Sequence, residues 1–141
     1  FADQQLYSVR CVGGQIHEQA LAALLNSTWC KLSIEMAGRV NFGDGVLWLA
    51  LRDAREKLLL PDIRLLEPAQ RASLAAALAD FPEQPVPSLC GTQGKLSSAW
   101  WRAQERLDEL VGSLLGLSSA GQEELRHALL ERCGTRLKMA R

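Results

Sequence analysis

The hydrophobic residues of this chain repeat with the period of a helix in some segments and with the period of a strand in others. Between residues 15 and 28, apolar side chains recur every three or four positions, which predicts an amphipathic helix. Residues 30–36 alternate instead, with Leu32, Ile34 and Met36 on one side and polar residues on the other. Such alternation is typical of a half-buried strand. The first third of the chain therefore predicts a mixture of helix and strand.

Other short apolar segments of this part of the chain are also predicted to be strands. They are residues 5–12, 39–42, 46–51 and 58–66. Gly43-Asp44-Gly45 supplies residues that tolerate positive φ, so a tight hairpin is predicted there. Pro61 would confine the last strand to an edge or a bulge of the sheet. The charged run 52–57 is predicted to form a turn between two strands.

The rest of the chain is predicted to be helical. Pro68 suits the first turn of a helix over residues 69–80, and Pro82 follows its end. Ser97 or Ser98 can cap the next helix, which runs to about residue 115, and Gly116 can end it. A last helix is predicted from Ser119, with Gln122 completing a reciprocal cap. The short connection between these two helices predicts an antiparallel helical hairpin.

These elements together predict an α+β fold: a small, mainly antiparallel sheet of about three or four strands, with helices packed on it and a helical hairpin at the end. The 141 residues match the usual size of one domain. Within it we expect a mixed portion over residues 1–81, an irregular connector over 82–96 and the hairpin over 97–139. Because the chain begins at Phe1, we expect a fragment or a processed part of a longer protein.

Composition narrows the classes of partner. Sixteen basic residues balance sixteen acidic ones, so no overall positive field would attract phosphates, and nucleic acid is disfavoured as a partner. The apolar fraction of 48% is typical of a folded globular domain. No stretch of the sequence is long and apolar enough for a membrane span. We therefore expect a soluble protein of the cytoplasm with no membrane partner.

The sequence contains no convincing metal, cofactor or catalytic motif. Residues 90–95 resemble a phosphate-binding loop, but two residues separate the glycines where four are needed. The pairs Cys11/His17 and His127/Cys133 offer zinc-type ligands. However, six helical positions turn through about 600°, which places His127 and Cys133 on opposite sides of their helix. We predict no metal and no cofactor.

The four cysteines, at positions 11, 30, 90 and 133, are widely spaced and include no C-x-x-C pair. In a domain of this size, such cysteines are more often reduced and buried than paired in disulfides. No flanking motif identifies one of them as a nucleophile. An enzyme that depends on a thiol therefore stays open as an alternative function.

Trp100 and Trp101 point in different directions because neighbouring helical residues are rotated by about 100°. Trp100 falls on the apolar stripe of its helix and is predicted to be core, as are Trp29 and Trp48. Trp101 projects away from that stripe. Exposed aromatic residues often contribute strongly to interfaces, so we predict a partner-binding site at Trp101, Arg102 and Glu105.

Trp101 also has two alternative roles, and the chain has an alternative partner. The proline-rich segment 82–94 could cover the indole, or Arg102 or Arg106 could make a cation–π contact with it. Basic residues near the C-terminus, which are Arg132, Arg136, Lys138 and Arg141, could bind nucleic acid. Our leading hypothesis is a non-enzymatic interaction module that binds another protein or itself: an adaptor, an assembly subunit or a chaperone-like domain.

Overall fold

A computed structural model of the protein describes residues 14–40, 47–83 and 98–139. Helices account for 74% of the residues in these ranges. They are α1 (Gln15–Asn26), α2 (Thr28–Ala37), α3 (Leu51–Lys57), α4 (Pro68–Ala79), α5 (Ser98–Leu114) and α6 (Ser119–Met139). Strands β1 (Arg39–Val40) and β2 (Leu47–Trp48) form one short antiparallel pair. In this pair Arg39 lies opposite Trp48, and Val40 lies opposite Leu47.

The predicted α+β fold with a sheet of three or four strands is wrong, because the described chain is mostly helical. The segment 30–36 lies inside α2, and the charged segment 52–57 lies inside α3. No strand occurs in residues 58–66, and the predicted strand 46–51 is reduced to Leu47–Trp48 among its described residues. The predicted strand 5–12 and the glycine turn lie outside the described residues.

Segment 30–36 is helical because side chains outside this segment cap the N-terminus of α2 and pack against one of its faces. The Ser27 hydroxyl caps α2 by accepting the Cys30 N–H at 3.2 Å. Leu32 is buried against α6, whereas Met36, expected on the same buried side of a strand, is 63% exposed. The alternation therefore does not mark one buried face.

Helix α3 is stabilised by charge pairs at helical spacing. Arg52 contacts Glu56 at 3.0 Å and Lys57 contacts Asp53 at 2.7 Å, each across four positions. Asp53 is buried and also lies 3.4 Å from Arg39, so α3 is joined to β1. The charged run that suggested a turn thus carries the side-chain pairs of a helix.

The main core lies among α1, α4 and α5, where short side chains of α1 let the helices approach closely. Its buried members are Ala20, Ala23, Leu24, Ile63, Leu74, Ala77, Leu107 and Val111. The predicted helices around it are confirmed, including Pro68 in the first turn of α4. Trp100 is 4% exposed, as predicted, and Trp29 packs against the core. Trp48 is 39% exposed, so its predicted core position is wrong.

The connection between α5 and α6 is as short as predicted, but the two helices then separate. Gly116 adopts φ of 69°, which favours glycine, and the Leu117 N–H returns to the Gly112 carbonyl at 2.8 Å. The N-cap of α6 is Ser118, which accepts the Gly121 N–H at 3.2 Å, and not Ser119. Gln122 instead packs its side chain so closely against Gly112 that a Cβ at that glycine would collide with it.

Away from this connection, α6 packs mainly against α2 and much less against α5. Leu32 of α2 meets Leu129 and Cys133 of α6 in a second, smaller cluster. Beside it, Glu35 and Arg136 form a partly buried ion pair at 2.7 Å. These contacts hold α6 at a distance from the first half of α5.

None of the helices in the described ranges is both long and apolar enough to span a membrane.

Candidate functional site

The separation of α5 from α6 opens a cleft of about 330 Å³ beside the N-terminus of α2. This volume is at the small end of the range of ligand pockets, about 300–1,000 Å³. One wall is Trp101, Gln104, Glu105 and Asp108 of α5, and the other is Glu123, Arg126, His127, Leu129 and Leu130 of α6, with Thr28 between them. A space of this size suits one or two side chains of a partner and not a whole helix.

The floor of the cleft is a buried polar network centred on the Asp108 carboxylate. Its two oxygens accept hydrogen bonds from the Thr28 N–H at 2.8 Å and from the Thr28 hydroxyl at 2.7 Å. The Gln104 amide donates a third at 3.1 Å. The carboxylate thus lies at the N-terminus of α2, where a helix favours negative charge. This network holds α5 and α2 in a fixed arrangement beneath the cleft.

Gln104 also connects this floor to Trp100. Its carbonyl oxygen accepts a hydrogen bond from Lys31 Nζ at 2.7 Å, and the same ammonium lies 5.4 Å from the centre of the Trp100 ring. Burial lowers the pKa of Lys31, while the charge of Asp108 acts in the opposite direction. The Lys31 ammonium therefore contacts two side chains that lie one turn apart on α5, the Trp100 ring and the Gln104 amide.

The mouth of the cleft is partly apolar. Trp101 is 37% exposed and meets Trp100 edge to face, with the ring centroids 5.2 Å apart. Leu130 is exposed on the opposite wall. Glu105 follows Trp101 by one turn of α5, is exposed, and has no ion-pair partner in the described ranges. An apolar surface and an unpaired carboxylate therefore lie side by side.

The charged groups of the lining are unequal in number. Three carboxylates, those of Glu105, Asp108 and Glu123, face one guanidinium, that of Arg126. Arg126 lies 3.2 Å from Glu123, and His127 lies 3.4 Å from the same carboxylate. The carboxylates of the lining therefore outnumber its guanidinium, although the Lys31 ammonium lies against Gln104 and offsets the charge of Asp108.

The structure brings two of the three predicted site residues, Trp101 and Glu105, into this cleft. Arg102 is exposed on α5 but does not line it. Sequence reasoning missed Gln104 and Asp108, although positions 101, 104, 105 and 108 share one face of a helix. The residues from α6 had no such signal, since their position depends on how α6 packs.

The cation–π contact predicted as an alternative role for Trp101 occurs at its neighbour instead. In the described ranges this contact involves Trp100 and Lys31, and Arg106 is paired with Asp80 at 2.7 Å. Most of the proline-rich segment that could cover Trp101 falls within residues 84–97, outside the described residues.

The described thiols are poorly suited to catalysis. Cys30 and Cys133 are free and buried, as predicted for them. Burial raises the pKa of the Cys30 thiol to about 11, although Lys31 opposes this effect, so the thiol is protonated at neutral pH. Cys133 donates a hydrogen bond to Glu35 at 3.3 Å. Cys11 and Cys90 lie outside the described residues.

Two further kinds of site find no support in the described ranges. No group of three or more metal-binding side chains comes together there. Arg136, one of the basic residues considered for nucleic-acid binding, is partly buried in its ion pair with Glu35, whereas Arg132 is exposed.

Comparison of the chain with models of protein families, with curated proteins and with solved structures found no match.

Proposed function

We propose that the protein is a non-enzymatic interaction module, which binds a segment of another protein in the cleft between α5 and α6. The observation that carries this proposal is the exposure of Trp101 at the mouth of a cleft whose floor is rigidly hydrogen-bonded. An aromatic residue beside a preformed pocket is typical of the strongest contacts in protein interfaces. The function would be that of an adaptor, an assembly subunit or a chaperone-like domain.

A thiol-dependent enzyme is the alternative, and the two described cysteines argue against it. Both are buried, and the raised pKa of Cys30 disfavours its nucleophilic form. Free, buried thiols instead suit a reducing compartment, so we propose the cytoplasm as the location. The pairing of Arg136 with Glu35 similarly weakens the nucleic-acid alternative.

Selection from a displayed library of random peptides tests the proposal without knowledge of the natural partner. Peptides that bind the wild-type protein should bind the Trp101→Ala variant at least about thirty times more weakly, because one interface hot spot contributes about 2 kcal/mol or more. Trp48→Ala is the matched control, since Trp48 is exposed to nearly the same extent, 39% against 37%, and does not line the cleft. It should bind the same peptides as the wild type.

Absence of enriched peptides, or equal binding by the Trp101→Ala variant, would refute this site. Light scattering addresses self-association, which is the other occupant considered. A mass above the 15.5 kDa of one chain that falls to the monomer in Trp101→Ala would identify a second copy as the occupant of the cleft.

A further inference from the structure

The side chain that occupies the mouth of the cleft can be inferred from a contact that the protein makes within itself. Lys31 Nζ lies 5.4 Å from the centre of the Trp100 ring and donates to Gln104 Oε1 at 2.7 Å. Trp100 and Gln104 are four positions apart on α5, so their side chains are neighbours on one helix face. An aromatic ring and an oxygen acceptor at this spacing thus bind an ammonium group.

The same spacing recurs one residue further along the helix. Trp101 and Glu105 are also four positions apart, and both line the cleft. Here the acceptor is a carboxylate, which binds a cation more strongly than the neutral amide of Gln104 does. In the described ranges neither Trp101 nor Glu105 contacts a cation. The second pair therefore repeats the internal cation site but lacks its cation.

The charge and the shape of the cleft favour the same ligand. Of the three carboxylates in the lining, Glu123 is paired with Arg126, and Asp108 is buried and accepts three hydrogen bonds. Glu105 is the exposed lining carboxylate that has no ion-pair partner in the described ranges. Leu130, on the opposite wall, offers an apolar surface. Lysine and arginine side chains combine an apolar stem with a charged end, so they match both properties of the cleft.

We propose that the bound partner segment inserts a lysine or arginine side chain between Trp101 and Leu130, with its charged end against Glu105. This inference rests on the proposed function and adds the chemistry of the ligand. The aromatic ring contributes a cation–π contact, the carboxylate contributes a charge-assisted hydrogen bond, and Leu130 packs against the stem.

The test uses the peptides selected on the wild-type chain. The enriched sequences should share a lysine or an arginine, and replacing it by norleucine or citrulline, which are uncharged and of similar shape, should weaken binding about five- to tenfold. On the protein, Glu105→Gln should weaken binding about three- to fivefold and reduce its dependence on salt. Glu109→Gln is the matched control, since Glu109 is exposed one turn further along α5 and does not line the cleft. It should leave binding unchanged.

Exchanging the charges of Glu105 and of the basic peptide residue tests whether Glu105 is the carboxylate that binds this residue. Glu105→Lys should weaken binding of the basic peptides by about tenfold or more, and a peptide with glutamate in place of its basic residue should recover binding to that variant. Selected peptides that depend on Trp101 but lack a basic residue would overturn this inference and leave the interaction function intact. Basic peptides that bind Glu105→Gln as tightly as they bind the wild type would also overturn this inference and leave the interaction function intact. Failure to obtain any peptide that depends on Trp101 would instead remove the proposed function and this inference together.

Discussion

Asp108 connects the stability of the fold to the floor of the cleft, and its removal should be costly. The side chain is buried, and it accepts the Thr28 N–H and the Thr28 hydroxyl from a helix that lies 80 positions earlier in the chain. In Asp108→Ala, the Thr28 N–H at the first turn of α2 loses its acceptor in a buried position. We therefore expect a large loss in the free energy of unfolding.

The size of this loss follows from the individual contacts. A buried N–H without an acceptor costs about 1–3 kcal/mol, and the lost hydroxyl hydrogen bond about 1 kcal/mol. Removing a negative charge from a helix N-terminus adds about 0.3–2 kcal/mol. Gln104 loses less, because its amide also donates to the Asn26 carbonyl at 3.3 Å. Together these contributions predict a loss of about 2–6 kcal/mol for Asp108→Ala.

Asp108→Asn separates the hydrogen bond from the charge. Its amide oxygen can still accept the Thr28 N–H, whereas the negative charge beside α2 is gone, so we expect a loss of about 1–2 kcal/mol. Urea titrations followed by far-UV circular dichroism, with linear extrapolation to water, measure both values. Glu109→Ala, an exposed change at the next position of α5, is the control and should stay within about 0.5 kcal/mol of the wild type.

An Asp108→Ala variant as stable as Glu109→Ala would contradict this role of Asp108, as would an asparagine variant that loses as much stability as the alanine variant. The first result would mean that Thr28 finds another acceptor. The second would mean that the charge, and not the hydrogen bond to the N–H, accounts for the whole contribution.

Three other predictions concern the packing of the two tryptophans, the Glu35–Arg136 ion pair and the buried thiol. Trp100→Ala should reduce the free energy of unfolding by about 3–5 kcal/mol in urea titrations, because it leaves a cavity in the core, whereas Trp101→Ala should cost less, because Trp101 is 37% exposed. Arg136→Met should cost about 2–3 kcal/mol in the same assay, somewhat less than for a fully buried pair, because it leaves the partly buried Glu35 carboxylate without its charged partner. Cys30 should resist alkylation in the native protein at pH 8, as measured by mass spectrometry of its peptide, and rapid labelling would contradict its burial. Because folding raises the pKa of Cys30 from its ordinary value of 9.0 to about 11, the stability it contributes is complete below pH 9 and is lost as the pH rises towards 11.

The helices that could be predicted from the sequence are those whose signals are local. Helix α4 has Pro68 in its first turn, and α5 has an apolar stripe that includes Trp100 and ends before Gly116. These signals act within a few residues, and no distant contact is needed to interpret them. The periodicity of α5 was also sufficient to separate a buried tryptophan from an exposed one.

Helices α2 and α3 were missed for two different reasons. The alternating residues of α2 resemble a strand, and apart from the local Ser27 cap, the groups that stabilise the helix, Asp108 and Arg136, come from α5 and α6. For α3, the signal was present in the sequence as opposite charges four positions apart, between Arg52 and Glu56. A run of alternating charges alone does not distinguish a helix from a turn.

One part of the candidate site could likewise be predicted from local sequence, and the other part depends on how the helices pack. The helical repeat alone places Trp101 and Glu105 on one face of α5, because it sets which residues are neighbours. That this face borders a cleft follows only from the packing of the helices in the folded chain. The cleft exists because α6 leaves α5 after Gly116 and packs against α2, where the Leu32 contacts and the Glu35–Arg136 pair hold it. Contacts between residues about a hundred positions apart have no local pattern, so the second wall and Leu130 became visible only in the folded chain.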